Sequence, residues 1–319
     1  MTDIVTLTLN PAVDLSFAVD RLVPTRKLRC GDVRRDPGGG GINVARVVRR
    51  LGMECTALYL AGGRTGRTLS ELLRAERVDI DCVPIAQETR ENFAVRETST
   101  GQEYRFVAPG PEVSPIEAQA CFDRLMSLDP CPRFLVASGS LPPGIPVDFY
   151  ARIARAARAK GTRVILDTSG DALAAALDEG VYAVKPSIDE LRELTGKPLE
   201  TQAEWTEQAQ RLVARGNARV VLVTLGAKGA SMATESGVDH VEGVPVPVVS
   251  AVGAGDSFVA AFVWAIDQAL PLKEALRYGV AAGTSAVLRA GTVLAQPNEI
   301  ERYYQASAAA DALQTTQTG

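Results

Sequence analysis

The chain has 319 residues, of which 46% are hydrophobic and 23% charged, and its formal net charge is −4. This length and composition predict one large α/β domain or two smaller ones with a sizeable apolar core. The acidic balance argues against nucleic acid or an anionic membrane as the main partner, and a single histidine, His240, nearly excludes His-based catalysis and multi-His metal sites.

The cysteines and the N-terminal segment bear on the cellular compartment. The five cysteines are scattered along the chain without a CxxC pair: Cys30, Cys55, Cys82, Cys121 and Cys131. This arrangement predicts free thiols in a reducing environment and no zinc site. The sequence has no cationic start followed by an apolar stretch, and no run long enough to span a membrane. We therefore expect a cytoplasmic protein.

The N-terminal third contains the first predicted strands and helices. Residues 3–9 form a β-rich apolar run, which predicts a strand, and a run of glycines opens a predicted helix over 42–51. A buried strand is predicted over 56–60, and a second glycine turn precedes a helix over 67–75. The order strand, glycine turn, helix is that of βα units.

Two polar, strand-rich blocks, 12–35 and 88–108, interrupt this order. In the second block, residues 92–97 and 102–107 flank a Ser-Thr-Gly turn, which predicts a β-hairpin. We expect the two blocks to form a small β lid beside the main sheet. The other segments are assigned to the α/β core: 1–11, 36–87 and 109–319.

From residue 114 the α/β alternation resumes. Helices are predicted over 114–127, 147–159, 171–178, 204–215, 257–267, 273–289 and 297–307. Strands are predicted over 134–137, 163–167, 183–184, 220–224 and 230–234. The tail beyond 308 is small and polar and is expected to be frayed. Repeated βα units predict a doubly wound, mostly parallel α/β sheet with helices on both faces and ligands at the carboxyl ends of its strands.

Residues 253–256, Gly-Ala-Gly-Asp, precede an apolar helix and form the most informative stretch. A glycine turn that opens a helix binds anions readily, because unpaired N–H groups and the positive end of the helix dipole point outward. An acid there, Asp256, makes sense if it takes a proton from a hydroxyl while the amides hold a phosphate. The alternative is an ordinary turn with Asp256 as a helix cap, since short glycine motifs often match by chance.

A second glycine stretch, 38–41, begins a helix that carries Asn43. Four consecutive glycines are costly to order, and glycine permits close approach of the backbone to a ligand. Asn43 offers both a donor and an acceptor to a hydroxyl, so we predict a polyol-binding loop in preference to a flexible linker. Asp14 follows a strand end and could accept hydrogen bonds from sugar hydroxyls, or it could be a solvated turn residue.

Cations lie on both predicted lid blocks. Arg90 and Arg105, with Lys27 and Arg29, could bind a phosphate, although cations on strands also serve to protect sheet edges. On the core, Glu190 follows a short strand and could order water around a nucleotide-bound Mg²⁺; the alternative is a glutamate at a helix start.

Three common fingerprints are missing from the sequence. It has no GxxxxGK[ST] phosphate loop, no GxGxxG that opens a helix after the first strand, and no Gly-x-Ser-x-Gly elbow with a partner histidine. A Walker-type nucleotide site, a dinucleotide fold and a serine hydrolase are therefore disfavoured.

The informative stretches together resemble a known family. Residues 38–46, Gly-Gly-Gly-Gly-Ile-Asn-Val-Ala-Arg, and residues 252–257, Val-Gly-Ala-Gly-Asp-Ser, with 167–170, are similar to the signatures of the PfkB family of carbohydrate kinases. The resemblance covers residues 1–305 in order. Segments 27–30, 102–107 and 138–144 resemble the branch that acts on fructose 6-phosphate. The resemblance implies a ribokinase-like fold, a doubly wound sheet with a small β-sheet lid.

The resemblance also implies a reaction and a role for each matched residue. The reaction is ATP-dependent phosphorylation of fructose 6-phosphate at its C1 hydroxyl, giving fructose 1,6-bisphosphate. Asp256 would be the base, and the 253–256 amides, including those of Gly253, Ala254 and Gly255, the anion hole. The implied sugar-phosphate ligands are Asp14, Lys27, Arg29, Gly38, Gly39, Asn43, Arg90, Arg105 and Ser140. The implied nucleotide ligands are Lys185, Ser187, Glu190, Thr224, Gly226, Gly229 and Thr284.

Cations and a partner subunit are implied in the same way. Mg²⁺ would accompany ATP and be held through water by Glu190. A monovalent cation, K⁺, would lie near Ser250, Val252, Ala286 and Gly291. The lid would also join two subunits as the clasp of a homodimer.

The sequence departs from the family pattern at two positions and leaves the substrate open. Ser187 stands where the family has Asn, which questions a contact to Mg²⁺ and phosphate. Arg289 stands where the fructose 6-phosphate branch tends to have Asn, a change without effect if only the backbone carbonyl meets the cation. Tagatose 6-phosphate or fructose 1-phosphate could be the substrate instead, and a remoter alternative is a non-catalytic sugar-phosphate sensor.

Overall fold

The computed structural model describes residues 3–289, 291 and 293–318. Its strands are β1 Ile4–Thr8, β2 Ala12–Val19, β3 Arg34–Gly38, β4 Thr56–Ala61, β5 Asp79–Pro84, β6 Arg90–Glu97, β7 Glu103–Phe106, β8 Phe134–Ser138, β9 Arg163–Asp167, β10 Val181–Val184, β11 Ala218–Thr224, β12 Ala230–Thr234 and β13 Gly237–Val241. Its α-helices are α1 Gly40–Arg50, α2 Gly63–Ala75, α3 Pro115–Met126, α4 Phe149–Ala159, α5 Gly170–Glu179, α6 Ile188–Thr195, α7 Gln202–Ala214, α8 Ala254–Asp267, α9 Leu272–Ala286 and α10 Pro297–Thr318.

Nine of these strands form the main sheet, in the order β13-β12-β11-β10-β9-β8-β1-β4-β5. The pairings from β11 to β5 are all parallel, and only β12 pairs antiparallel with both of its neighbours. Every residue of β1 and β8 is buried, as expected for parallel strands covered on both faces. The predicted doubly wound, mostly parallel sheet is confirmed.

Helices cover both faces of the main sheet, as predicted. On one face, apolar residues of α1, α2, α8, α9 and α10 pack into a single core, which includes Phe262 and Ile42. On the other face, α3 to α7 contribute to a second core around Phe149 and Leu191. Because the sheet is buried between two helical layers, its open edge at the strand carboxyl ends is where a ligand can reach the main chain.

The predicted β lid is a separate four-stranded sheet in the order β3-β2-β6-β7. The pairing of β6 with β7 is antiparallel and matches the predicted hairpin, whereas β2 pairs with β6 in parallel. This parallel register sets Asp14 opposite Asn92. Strand β3 runs up to Gly38, so the small sheet leads directly into the glycine loop. The exact division into core and lid segments stays a prediction.

Three elements were missed, for a common physical reason. Strands β5 and β13 are the two edges of the main sheet, and β5 carries two aspartates, ends in proline and is only half-buried. Edge strands lack the apolar run that identifies a central strand. Helix α6 has only eight residues, with apolar side chains at 188, 191 and 194, so its pattern is too short to identify a helix from the sequence. The tail prediction was wrong: α10 extends to Thr318, where alanines at 308–310 favour a helix.

Two expectations about the whole chain can be compared with the structure. No helix among the described residues is long and apolar enough to cross a membrane. All five cysteines are free thiols, of which Cys55 and Cys121 are buried.

Candidate active site

A cavity of about 280 Å³ lies between the carboxyl ends of the main-sheet strands and the small sheet. It is lined from β2, β6 and β7 on the lid side and from the ends of β8 and β9 and the starts of α1 and α8 on the core side. The predicted site residues in its wall are Asp14, Gly39, Asn43, Arg90, Arg105, Ser140, Glu190, Val252, Gly253 and Asp256. The structure thus gathers residues that lie up to 242 positions apart.

Asp256 lies in the first turn of α8 and faces this cavity. Its Oδ2 accepts a hydrogen bond from Nδ2 of Asn43 over 2.8 Å. Burial raises the pKa of Asp256 to about 7, with a further contribution from the neighbouring Asp167 carboxylate. A carboxyl group with a pKa near neutrality is suited to accept a proton during catalysis.

The turn before Asp256 presents backbone amides to the same cavity. Gly253 caps α8 with a φ of 71°, a left-handed conformation that favours glycine. The amide of Ala254 donates to the Ala251 carbonyl at 3.3 Å, whereas those of Gly253, Gly255 and Asp256 have no acceptor among the described residues. The predicted anion site therefore retains three amides at the positive end of the α8 dipole.

The glycine loop is tightly packed against the chain itself. A Cβ on Gly41 would lie 2.6 Å from the Leu7 carbonyl oxygen, and one on Gly38 would overlap the Asp14 carboxylate. One on Gly40 would overlap the Ser138 hydroxyl. These glycines therefore have a packing role as well, because they allow the loop to pass between β1 and β8. Only Gly39 and Gly40 also line the cavity.

The sugar side of the cavity is built around Asp14. Asn92, which sequence reasoning missed, donates from Nδ2 to Asp14 Oδ1 over 2.9 Å. Burial raises the pKa of Asp14, while this hydrogen bond and the nearby Arg105 and Arg90 oppose the rise. Ser140 accepts from Asn10 Nδ2 at 3.2 Å, which orients its hydroxyl. Polar side chains thus line this wall in fixed positions.

The four predicted cations separate into two pairs. Arg90 lines the cavity and donates to the backbone carbonyls of Ala108 and Asn10, so it also fastens the lid to the core. Arg105 lines the cavity and is exposed. Lys27 and Arg29 lie in the exposed connection between β2 and β3 and are not part of the cavity wall.

A buried cation lies beside the anion turn. Lys185 Nζ is 3.0 Å from Asp167 Oδ1, and a Cβ on Gly255 would be 3.5 Å from the same Nζ. Burial alone would lower the pKa of Lys185, but the carboxylates of Asp167, Glu190 and Asp256 raise it above its ordinary value. The side chain is therefore a fixed positive charge next to the free amides.

Ser187 and Glu190 begin helix α6 as a capping box. Ser187 Oγ accepts from the Glu190 amide at 3.2 Å, and Glu190 Oε2 accepts from the Ser187 amide at 2.7 Å. The helix-start alternative for Glu190 is thus realised, although its side chain also lines the cavity. Thr224 at the end of β11 bridges to Ser187 and leads into the turn with Gly226 and Gly229. These predicted nucleotide residues therefore lie at the neighbouring ends of β10 and β11.

The remaining predicted residues lie around the C-terminal part of the site. Thr284 is buried in α9 and donates to the Val280 carbonyl, so its hydroxyl is engaged within the helix. Ser250 donates from Oγ to Glu103 Oε2 on the lid over 2.8 Å. The carbonyl oxygens of Ser250, Val252 and Gly291 accept no hydrogen bond within the described part of the chain.

The side chain of Arg289 points away from these carbonyls. Both of its terminal nitrogens bind the Glu299 carboxylate in α10, at 2.7 and 2.6 Å. Ser285 donates to the same carboxylate over 2.7 Å. The family departure at position 289 therefore concerns a side chain that faces α10. This agrees with a cation role for the backbone carbonyl of residue 289 alone.

Sequence reasoning assigned no site role to Asn92, Ser138, Asp167 and Thr168, which also line the cavity. Asp167 and Ser138 end neighbouring strands, and their position at the carboxyl edge of the sheet was a usable signal. Asn92 could be found only through its pairing with Asp14 across 78 residues, which no local pattern reveals.

Comparison with known proteins agrees with this arrangement. Residues 1–299 match the pfkB family carbohydrate kinases. The chain is 45% identical over 305 residues to the ATP-dependent 6-phosphofructokinase isozyme 2 of Mycobacterium tuberculosis, covering 96% of this chain and 90% of the relative. It is 38% identical to the protein of that name from Escherichia coli K12, covering 95% and 98%.

A solved structure of phosphofructokinase-2 from Escherichia coli in complex with potassium superposes with a TM-score of 0.92 at 38% identity, covering 97% of this chain and all of that one. The match to the family and the likeness to these relatives extend over both sheets and every wall of the cavity. The chain therefore belongs to the pfkB family of carbohydrate kinases.

Proposed function

We propose that the protein is an ATP-dependent 6-phosphofructokinase, which transfers the γ-phosphoryl group of ATP to the C1 hydroxyl of fructose 6-phosphate. The observation that carries the proposal is the juxtaposition of Asp256, the free amides of its turn and the lid arginines in one cavity. Phosphoryl transfer depends mainly on alignment and charge stabilisation, and these groups supply both.

In the proposed reaction Asp256 acts as the general base. It takes the proton of the C1 hydroxyl as that oxygen bonds to the γ-phosphorus and the bond to ADP breaks, so the products are fructose 1,6-bisphosphate, ADP and a proton. A base contributes typically about 10²- to 10⁴-fold in rate. The amides of Gly253, Gly255 and Asp256, with Lys185, stabilise the charge on the transferred group, each donor being worth about 10²- to 10³-fold.

The lid side of the cavity would hold the sugar phosphate. Asp14 accepts hydrogen bonds from the sugar hydroxyls and Asn43 donates to them. Gly39 admits the sugar close to the backbone, Gly38 leaves room for the Asp14 carboxylate, and Ser140 faces the sugar from the core. Arg105, which is exposed, and Arg90 supply positive charge for the 6-phosphate. Lys27 and Arg29 belong to the same lid and are proposed to add to this charge, although neither lines the cavity.

The opposite rim would hold ATP with Mg²⁺. The proposed nucleotide ligands lie at or just beyond the ends of β10 and β11 and within α9: Lys185, Ser187, Glu190, Thr224, Gly226, Gly229 and Thr284. Mg²⁺ usually binds through one or two carboxylates, water and substrate phosphates. The described residues contain no cluster that could hold a metal alone, and Glu190 faces the cavity, which fits a metal held chiefly by ATP. When bound, Mg²⁺ would neutralise phosphate charge.

K⁺ is proposed for the loop beside the anion turn. Carbonyl oxygens are the ligands that such a cation needs, and those of Ser250, Val252 and Gly291 accept no hydrogen bond in the described residues. Ala286 ends α9 next to them. The residues present therefore fit the cation, whose charge would support the dipole of the anion turn.

The outer face of the lid favours a homodimer. It exposes four large apolar side chains, Val33, Phe93, Tyr104 and Phe106, of which Phe106 is 56% exposed. Exposed patches of this kind mark interaction surfaces. Light scattering on the wild type and on Phe106→Glu tests this: we expect a dimer that the substitution dissociates.

A cytoplasmic location is proposed from the five free thiols.

A coupled assay with ATP and three phosphorylated ketohexoses tests the function. We expect the highest kcat/KM for fructose 6-phosphate, with formation of fructose 1,6-bisphosphate. A clear preference for fructose 1-phosphate or tagatose 6-phosphate would overturn the substrate but keep the chemistry. If none is turned over while fructose 6-phosphate still binds, the protein is a sensor and not a kinase.

A further inference from the structure

Arg46 is among the most deeply buried side chains of the described chain. It lies in α1, one helical turn after Asn43, and only 1% of its surface is exposed. A buried guanidinium is tolerated only where its donors are paired, and truncating such a residue leaves uncompensated charge. Its partners therefore indicate what the residue is kept for.

The partners of Arg46 lie on two sides. Its Nε and Nη2 bind the Glu76 carboxylate, at 3.0 and 2.6 Å respectively. On the other side, Nη1 donates to the Pro37 carbonyl at 3.0 Å and to Asn43 Oδ1 at 3.2 Å. Glu76 holds the guanidinium plane, and the remaining edge of that plane faces the amide of Asn43.

These contacts determine which way the Asn43 amide points. A guanidinium has only donors, so the amide atom that faces it must be the oxygen. The amide nitrogen then points to Asp256 Oδ2, to which it donates over 2.8 Å. A flipped amide would set its NH₂ against Arg46 and its oxygen against the carboxylate, two unfavourable contacts at once.

We propose that Arg46 is a positioning residue for phosphoryl transfer: it locks the Asn43 amide in the orientation that donates a hydrogen bond to the catalytic carboxylate of Asp256. The inference rests on the role of Asp256 as the base in the proposed function. No sequence feature assigned a task to Arg46, which was simply the last residue of the glycine-loop signature.

The other charges near Asp256 and Arg46 belong to other residues and are not removed by a substitution at Arg46. Asp256 is faced by Asp167 and Asp14, which raise its pKa, and by Lys185, which lowers it along with the Asn43 hydrogen bond. On the far side, Glu76 also binds Arg50 at 3.2 Å, and Asp36 lies 4.0 Å from Arg46 Nη2. A shift in the titration of Asp256 in an Arg46 variant can therefore be traced to the Asn43 amide or to the lost charge.

The test measures kcat/KM for fructose 6-phosphate against pH. Without Arg46 the Asn43 amide rotates, Asp256 loses a donor to its ionised form, and its proton is held to higher pH. We expect the acid limb of the profile of Arg46→Met to move up by about one pH unit, which is about a tenfold loss on that limb. Arg46→Lys keeps a positive charge with donors only, so we expect it to move the limb less than Arg46→Met does.

Two further variants separate positioning from a structural role. Arg50 binds the same glutamate but lies two turns from Asn43, so Arg50→Met should lower stability and leave the acid limb unmoved. If Arg46 acts through Asn43, adding Arg46→Met to Asn43→Ala produces no further shift of the limb. This double-mutant cycle isolates the coupling between the two side chains.

The inference is overturned if neither Arg46 variant shifts the acid limb, or if Arg46→Met shifts it equally with and without Asn43. The titration of Asp256 can be followed without turnover, through the stability difference between each protein and its Asp256→Asn version across pH. If the wild type turns over no sugar phosphate, the proposed function fails, but this stability measurement still tests whether Arg46 positions Asn43.

Discussion

Replacement of Asp256 by Asn should abolish most activity and at the same time stabilise the fold. The amide keeps the shape of the carboxyl and can still accept the hydrogen bond from Asn43. It cannot take a proton, so we expect kcat for fructose 6-phosphate to fall by about 10²- to 10⁴-fold. Because the base acts only in the transition state, kcat/KM should fall by the same factor and KM should change little.

The gain in stability follows from the perturbed acid. Burial, with the charge of Asp167, raises the pKa of Asp256 from 3.8 to about 7. One pKa unit is about 1.4 kcal/mol, so ionising this group costs the folded state at most about 4 kcal/mol. The carboxyl partly faces the solvent of the cavity, which screens it, so we expect about 2 kcal/mol.

The sign of this effect gives it a pH dependence. A raised pKa leaves the two proteins equal in stability below about pH 4, where the carboxyl is protonated in both folded and unfolded states. The advantage of the Asn variant grows as the pH rises towards 7 and is then constant. Urea unfolding between pH 4 and 8.5, without ligands, measures it alongside the coupled assay. A fall in kcat of less than about tenfold would refute the role of Asp256 as the base. A stability difference between the two proteins that does not change with pH would refute the claim that burial raises the pKa of Asp256.

Three more substitutions test other parts of the site. Gly253→Ala places a side chain at a φ of 71° and 2.4 Å from Leu294 Cδ2, so it should cost at least about 1–2 kcal/mol and lower kcat at least tenfold. Gly101→Ala, at a φ of 74° in open space, should show a smaller stability loss with kcat unchanged. Glu103→Ala removes the lid contact to Ser250 and should raise KM for the sugar phosphate about tenfold, as expected for a hydrogen bond to a charged group. Glu103→Gln keeps an acceptor and should raise KM less. Equal effects of the two substitutions would contradict a role for this hydrogen bond in holding the lid. Ser187→Ala should cost about 1 kcal/mol through loss of the helix cap, and Ser187→Asn should keep the cap and lower KM for ATP.

Local patterns predicted the parts of the molecule that local physics determines. The Gly-Ala-Gly-Asp turn indicated free amides and an acid at a helix start because both properties depend on a few consecutive residues. The βα alternation predicted the central strands because burial on both faces demands an apolar run. The edge strands β5 and β13 were not predicted, because a strand with a neighbour on one side only does not need the apolar run that identifies a central strand.

Contacts between distant segments could not be predicted in this way. Asn92 meets Asp14 only because β2 and β6 pair in parallel, and Glu103 meets Ser250 across 147 residues. The glycine loop is another case in which the sequence does not show which distant segment is in contact. Its glycines indicated close approach correctly, but the sequence could not say that the chain itself, at Leu7 and Ser138, is what approaches.

The tight packing of the glycine loop and the chemistry of the cavity have one origin. Because Gly38 and Gly41 bring the loop into contact with Asp14 and β1, helix α1 starts close enough to α8 for Asn43 to reach Asp256. The same closeness removes water from the carboxyl and raises its pKa towards neutrality. A bulkier loop would therefore do more than displace a ligand: it would separate α1 from α8, return Asp256 to solvent and lower its pKa, so that fold and basicity would be lost together.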